Sequence, residues 1–189
     1  MDKNRFSDRP ALITRRHGLF TLGALAATGL AQSAWAKGGA AGPNAGDAAI
    51  LNIALALEFQ AIAAYQVGAE SKLLEKPVLD LAVQFQSHHK AHAAMLSVAV
   101  ENSGGVPAES KTIADYAFPV DQLKSQADVL RFAAGLEKAA ASAYVNSLAN
   151  LRQKNLIKGA AAILGDETMH WAVLLNALGE NPVPAAFIS

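Results

Sequence analysis

The chain has 189 residues, enough for one domain with a sizeable core, and 52% of them are hydrophobic, with alanine and leucine prominent, which favours helices. It contains no cysteine, which excludes disulfides, iron–sulfur clusters, thiolate zinc sites and covalently attached haem but leaves metals bound by oxygen and nitrogen open. Acidic and basic residues balance at 16 each, so no excess of positive charge indicates a nucleic-acid partner. The composition predicts an all-α protein that does not bind nucleic acid.

Residues 1–36 have the form of an export signal. Five basic residues within the first 18 precede the apolar run LFTLGALAATGLAQSAWA, which ends in an A-x-A sequence. The pair Arg15-Arg16, directly before that run, is similar to a twin-arginine signal. A membrane anchor is the alternative, but the run is short for a span and contains glycine. We expect cleavage after Ala36, passage through the twin-arginine export machinery and a periplasmic location.

The remaining chain is predicted to form a short leader, four long helices and a tail. Residues 37–46 are glycine-rich and read as a flexible leader, and residues 185–189 as a C-terminal tail. Between them, residues 47–184 are predicted to form the folded domain, with 14 acidic and 11 basic residues in the exported chain, a net charge of −3.

The predicted helices follow from caps and breakers. The first begins at Asp47 as N-cap and reaches Leu74. The second runs from Pro77 to Asn102 and is stopped by two glycines. After a long connection with a helical turn at TIADY, the capping-box sequence SQAD (125–128) opens a third helix that reaches Gln153. The fourth extends from about Asn155 to Leu178.

The two halves of the domain resemble each other. LEFQAIAAY (57–65) matches LEKAAASAY (136–144), and HKAHAAML (89–96) matches ETMHWAVL (167–174), in the same order along the chain. Agreement at Glu, Tyr and His is harder to obtain by chance than agreement at alanine. The repeat predicts a duplicated helical hairpin, and hence an antiparallel four-helix bundle with a pseudo-twofold axis.

The repeat also predicts polar residues inside the bundle. Glu58 has no charged neighbour between Asp47 and Glu70, and an ionised carboxylate buried there would cost several kcal/mol unless paired or bound to metal. A partly exposed glutamate is the alternative. Residues three apart share a helix face, so the pair His89/His92, and its repeat counterpart Glu167/His170, can each point at one site.

A bundle with Glu from two helices and Glu-x-x-His from the other two is the di-iron or di-manganese carboxylate arrangement. In these residues the chain resembles the ferritin-like superfamily, in particular exported bacterial members without an assigned function, over residues 47–179. The resemblance implies a metal site formed by Glu58, His89, His92, Glu137, Glu167 and His170.

His89 departs from the family pattern, because it stands where the family has a bridging glutamate. An imidazole cannot bridge two metals as a carboxylate does, so a single metal becomes an alternative to a pair. The expected metal is a transition metal, with Fe first, as one ion or as a pair that is unequal; the added nitrogen favours Fe, Zn or Cu over Mn, and Mn stays possible. The main alternative to any metal is a network of glutamates and protonated histidines.

The sequence leaves the roles of several residues near the six site residues undecided. His88 and Asp166 each precede a ligand histidine by four positions and could orient it, although a solvent-facing position is slightly favoured. A lower-ranked register takes Gln86 and His89 as the pair. Tyr65 and Tyr144 are compatible with redox activity, with hydrogen bonding to a ligand carboxylate, or with simple packing.

Three functions are compatible with this site. The first is a metal-dependent redox or oxidative-stress protein, hence an oxidoreductase, acting with dioxygen or peroxide. The second is a non-catalytic stress-protective bundle whose site is degenerate, and the third is metal sequestration without turnover. A homodimer is compatible with each, and the fold alone does not choose among them.

Overall fold

The structure is a computed structural model that describes residues 44–188. The predicted signal peptide, its cleavage point and most of the leader lie outside the described residues. Four α-helices account for most of this range, with no strand in it: α1 (Ala45–Glu70), α2 (Lys76–Asn102), α3 (Gln126–Leu148) and α4 (Lys154–Ala177). The all-α four-helix fold predicted from the sequence is confirmed.

The helices pack as two consecutive hairpins. α1 lies along α2 and α3 lies along α4, whereas the contacts of α1 with α3 and of α2 with α4 are sparser. Two apolar clusters fill the interior. One surrounds Leu55 and Leu96, and the other surrounds Phe85 and Leu174. Buried polar side chains occupy the level between the clusters, so the site lies in the middle of the bundle.

Both hairpins end in the same way. Gly104 and Gly179 have φ angles of 79° and 71°, a left-handed conformation that glycine adopts without strain. The amide of the residue after each glycine donates to a carbonyl of the last helical turn, from Gly105 to Val100 and from Glu180 to Leu175, at 2.9 Å in both. This matching termination agrees with the internal repeat.

The connection between the hairpins contains two short 3₁₀ turns, Ile113–Tyr116 and Val120–Gln122. The first is the turn expected at TIADY, and a capping box between Thr112 and Asp115 opens it. The expected cap of α3 is also present, since the Ser125 side chain accepts a hydrogen bond from the Asp128 amide at 3.2 Å.

Asp47 does not have the predicted role as N-cap of α1, which begins at Ala45. Its carboxylate is buried and accepts hydrogen bonds from the backbone amides of Arg152, at 3.0 Å, and Gln153, at 3.3 Å. Asp47 thus joins the start of α1 to the start of α4. Because these amides bond to Asp47, α3 ends at Leu148 rather than at Gln153.

The end of α1 also differs from the prediction. The helix stops at Glu70 rather than Leu74, because Lys72 has a φ of 61°, which a right-handed helix does not accommodate. Among the described residues, α1 is also the one helix long and apolar enough to cross a membrane. Half of its apolar window is buried in the bundle, as in the core helices of soluble proteins, so this is weak support for a membrane span.

Candidate metal centre

All six residues assigned from the sequence converge between the two apolar clusters. α1 and α3 contribute one glutamate each, α2 contributes two histidines, and α4 contributes a glutamate and a histidine. All are at most 2% exposed except His92, whose side chain is 14% exposed. The assignment of these residues as metal ligands stays a prediction; their convergence is a feature of the fold.

The six residues form two overlapping groups that we call lobes. The α1 lobe consists of Glu58, His89, His92 and Glu167, and the α3 lobe of His89, Glu137, Glu167 and His170. Within each lobe, one donor atom from every residue lies within 4.8 Å of the others. His89 and Glu167 belong to both lobes, as the repeat predicts for residues at equivalent positions.

The α1 lobe is the tighter of the two. Oε2 of Glu58 lies 2.8 Å from Nδ1 of His89 and 3.4 Å from Nδ1 of His92. Nδ1 of His92 also lies 3.2 Å from Oε1 of Glu167. In the α3 lobe, Oε1 of Glu137 lies 3.2 Å from Nε2 of His89 and 3.5 Å from Nδ1 of His170.

His89 contacts the glutamates of α1 and α3 with its two ring nitrogens. Donating to both requires both ring protons, and hence an imidazolium. Burial alone would lower the pKa of His89, but the hydrogen bonds to Glu137 and Glu58 outweigh it and raise the pKa to about 10. In the metal-free protein, His89 therefore supplies positive charge between two carboxylates.

The three glutamates have different charge states in this environment. Burial opposes ionisation of Glu58 and Glu137, but the neighbouring histidines overcome it and lower both pKa values. Burial, together with the adjacent Glu137 and Glu58 carboxylates, raises the pKa of Glu167 to about 11. The metal-free centre thus holds two carboxylates, one neutral carboxyl and one imidazolium.

Two tyrosines connect the hairpins. The Tyr65 hydroxyl on α1 donates to Oε1 of Glu137 on α3, and the Tyr144 hydroxyl on α3 donates to Oε1 of Glu58 on α1, the latter at 2.6 Å. Burial and the adjacent carboxylates raise the pKa of both hydroxyls well above the usual value. Of the three roles considered for these residues, hydrogen bonding to a site carboxylate is the one the geometry displays.

Several buried atoms of the centre have no hydrogen-bond partner among the described residues. They are Nδ1 of His92, Nδ1 of His170, Oε2 of Glu137 and both carboxylate oxygens of Glu167. Leaving one such atom unpaired costs about 1–3 kcal/mol, so a concentration of them in one place calls for a binding partner. Nitrogen and carboxylate oxygen together suit Fe, Zn, Mn or Cu. The residues present therefore fit a transition metal.

Two neighbouring residues are partly exposed to solvent and also contact the centre, which combines the two positions considered for them. His88 and Asp166 have side chains 35% and 22% exposed, and Nδ1 of His88 lies 3.1 Å from Oδ2 of Asp166, against the edge of the centre. The sequence signal that could have located them was present, because each precedes a site histidine by four residues. Gln86 instead bonds to Gln66 and to the carbonyl of Ile62, so the alternative register is not supported.

The centre is open toward the seam between α2 and α4. His88, Asp166 and His92 are partly exposed there. On the opposite side, a groove of about 330 Å³ between α1 and α3 reaches Tyr144. Tyr144 is only 1% exposed and separates that groove from Glu58. The solvent-exposed atoms of the centre therefore lie on its α2–α4 side.

The bundle and its six convergent residues define a ferritin-like protein whose buried His/Glu cluster could bind a transition metal. A sequence model of the ferritin-like domain family matches residues 46–180. The chain belongs to the ferritin-like domain family.

One solved structure is similar to the chain over most of its folded part. It is a conserved hypothetical protein, rv2844, from Mycobacterium tuberculosis, with 25% sequence identity and a TM-score of 0.64. The similarity covers 75% of this chain and 96% of that one. No curated protein matches the chain.

Proposed function

We propose that the protein is an exported metal-binding redox protein that uses iron, or a similar transition metal, with dioxygen or peroxide. The observation that carries the proposal is the set of unpartnered nitrogen and carboxylate atoms inside the bundle. A bound transition metal supplies an electron donor and a coordination position for a small oxidant.

The protein's own residues have distinguishable roles in this proposal. The glutamates and histidines of the two lobes hold the metal. Tyr65 and Tyr144 each fix Oε1 of a glutamate. Oε2 of Glu137 has no other partner among the described residues, whereas Oε2 of Glu58 accepts from His89 until that proton is released. The apolar clusters above and below exclude water, and the α2–α4 seam admits the oxidant. His89 must give up a proton before its nitrogen can bind a metal.

Metal analysis of glutamate variants tests the proposal. Wild-type protein purified in its exported form, without chelator, is expected to contain Fe, Mn, Zn or Cu. Glu58→Gln and Glu137→Gln are each expected to lower the metal-to-protein ratio at least about tenfold, because each removes a charged ligand. Glu101→Gln, an exposed change on α2, is the matched control and should leave the ratio unchanged.

The loaded wild type should then consume dioxygen or peroxide in the presence of a reductant, and the glutamate variants should not. A protein that contains metal but consumes neither dioxygen nor peroxide would sequester metal rather than act in redox chemistry. A wild type that neither contains nor takes up a transition metal would contradict the proposal.

A second candidate function rests on the position of His89. Its imidazolium bonds to both Glu58 and Glu137, so half of the charge of these two carboxylates is offset without metal. Such a centre would make the protein a non-catalytic, stress-protective bundle. The unpartnered atoms of Glu167 and of the other two histidines favour the metal-binding proposal over this one.

We also propose export to the periplasm, supported by the arginine pair, the apolar run and the A-x-A end of residues 1–36. Changing both arginines, Arg15→Lys and Arg16→Lys, is expected to leave uncleaved precursor in the cytoplasm, because the export machinery reads the arginine pair. Cell fractionation with immunoblotting measures this. Normal export of the double variant would rule out the twin-arginine route, and Lys3→Arg serves as the control change in the same basic segment.

A further inference from the structure

Three imidazole nitrogens contact one carboxylate oxygen of Asp166, which belongs to neither lobe. Oδ2 of Asp166 lies 3.1 Å from Nδ1 of His88, 3.3 Å from Nε2 of His92 and 3.3 Å from Nε2 of His170. Nδ1 of His88 is also 2.9 Å from Nε2 of His170. We call these four residues the outer cluster.

The spacing of these atoms suits a single metal ion. The donor atoms of His88, Asp166 and His170 all lie within 4.8 Å of one another, near enough for one metal ion to bind all three, and Nε2 of His92 adds a contact with the Asp166 carboxylate. The rings are also held in place, because the Phe85 ring stacks on His170 with centroids 3.9 Å apart.

The chemistry of the outer cluster differs from that of the lobes. It offers three nitrogens and one carboxylate, whereas each lobe offers two of each type. Three imidazoles with one carboxylate suit Zn²⁺, Co²⁺ or Cu²⁺, while added carboxylates favour iron or manganese. The outer cluster also lies at the open seam, between solvent and the buried lobes.

His92 and His170 face the lobes with Nδ1 and the outer cluster with Nε2. A neutral imidazole has one nitrogen free to bind and one that carries a proton. Each ring can therefore bind a metal ion either in its lobe or in the outer cluster. It cannot bind in both places unless it loses its second proton. Metal in both lobes would leave only His88 and Asp166 for the outer position.

We infer that His88, His92, Asp166 and His170 form a separate, nitrogen-rich metal site at the α2–α4 seam, which receives a divalent cation before the lobes do. The transfer step rests on the metal binding proposed above, whereas the outer site itself does not. His92 and His170 transfer the ion to the lobes, because the ring nitrogen that binds it changes from Nε2 to Nδ1. When their Nδ1 atoms bind in the lobes, their Nε2–H groups donate to Asp166.

Cobalt spectroscopy tests the outer site without the lobes. Co²⁺ alone is added to metal-free protein carrying Glu58→Gln and Glu137→Gln, which remove one carboxylate from each lobe and leave the outer cluster intact. The expected result is one bound Co²⁺ per chain with the intense visible absorption of a four-coordinate ion. Adding His88→Ala should weaken this binding at least about tenfold. Gln84→Ala, an exposed change one turn earlier on α2, should not.

The transfer is tested in protein with intact lobes. His88→Ala should slow Co²⁺ uptake by at least about tenfold while leaving the final occupancy of the lobes near that of the wild type. Asp166→Asn should likewise slow Co²⁺ uptake without changing the final occupancy of the lobes. Circular dichroism establishes that each variant is folded.

The outcomes separate this inference from the proposed function. If the double-glutamine protein gains no tetrahedral Co²⁺ signal, or if the signal does not depend on His88, the outer site is wrong while metal binding in the lobes can still stand. If the signal appears but the wild type never loads its lobes, the outer site stands and the proposed function fails. Uptake at an unchanged rate in His88→Ala would overturn the transfer step.

Discussion

His89→Glu is expected to destabilise the metal-free protein by about 3–5 kcal/mol, because it removes the positive charge buried between two carboxylates and adds a negative one. His89 is 1% exposed and contacts Glu58 and Glu137 with its two ring nitrogens. The variant would place four carboxyl groups around one interior point, with no lysine or arginine contacting them in the described chain. Thermal denaturation in the presence of chelator measures the loss.

The same variant should bind metal better than the wild type. A glutamate at this position restores the carboxylate that the family pattern places between two metals, so the metal-to-protein ratio should rise toward two. Saturating metal should recover most of the lost stability, because binding to the folded state stabilises it. Lys90→Glu makes the same change of two charge units on the exposed side of α2 and should show neither effect. A metal-free His89→Glu protein as stable as the wild type would contradict this account of the centre.

The second large effect is on the pH dependence of the metal-free protein. The pKa of His89 is raised from 6.5 to about 10, so its contribution to stability is complete below about pH 6.5 and is lost as the pH rises toward 10. Glu167, with a pKa raised from 4.5 to about 11, contributes in the same direction from pH 4.5 upward. Glu58 and Glu137 have lowered pKa values, so their contributions are present above about pH 4.5 and are lost in acid.

These contributions together predict a stability maximum near pH 4.5, followed by a decline that steepens above about pH 6.5, where the unfolded chain also releases the proton of His89. Above about pH 6.5, the folded state retains about two protons that the unfolded chain has released, and each lowers the free energy of unfolding further as the pH rises. Urea denaturation of chelator-treated protein between pH 5 and 9 measures this decline. His89→Gln should make the decline above pH 6.5 shallower, since the proton that His89 retains in the folded state is then absent. Constant or rising stability between pH 6.5 and 9 would show that the centre is not protonated as described.

The sequence predicted the position of the centre better than its internal contacts. The absence of charged neighbours around Glu58 and the order of Glu, Tyr and His in both halves were sufficient to predict a bundle with these residues at one level. The pairing of each tyrosine with the glutamate of the opposite hairpin could not be predicted from the sequence, because it depends on how the hairpins are rotated against each other. The double contact of His89 depends on the same rotation.

Asp47 shows a different limit of sequence reasoning. An acidic residue at the start of an apolar helix has the local pattern of an N-cap, and the pattern contains no information about a distant chain segment. In the structure, this carboxylate bonds to amides 105 and 106 residues away. Likewise, the orientation of His88 and Asp166 depends on the proximity of α2 and α4, which spacing within one helix does not reveal.

The exchange of tyrosines between the hairpins bears on how such a chain arose. A single hairpin with this sequence pattern would bury a glutamate whose hydroxyl donor lies on another copy. An ancestral hairpin could satisfy that glutamate only by pairing with an identical hairpin, which would place the same residue at both central positions. One polypeptide that holds both hairpins is free of that restriction. It can carry His89 in one half and Glu167 at the equivalent place in the other.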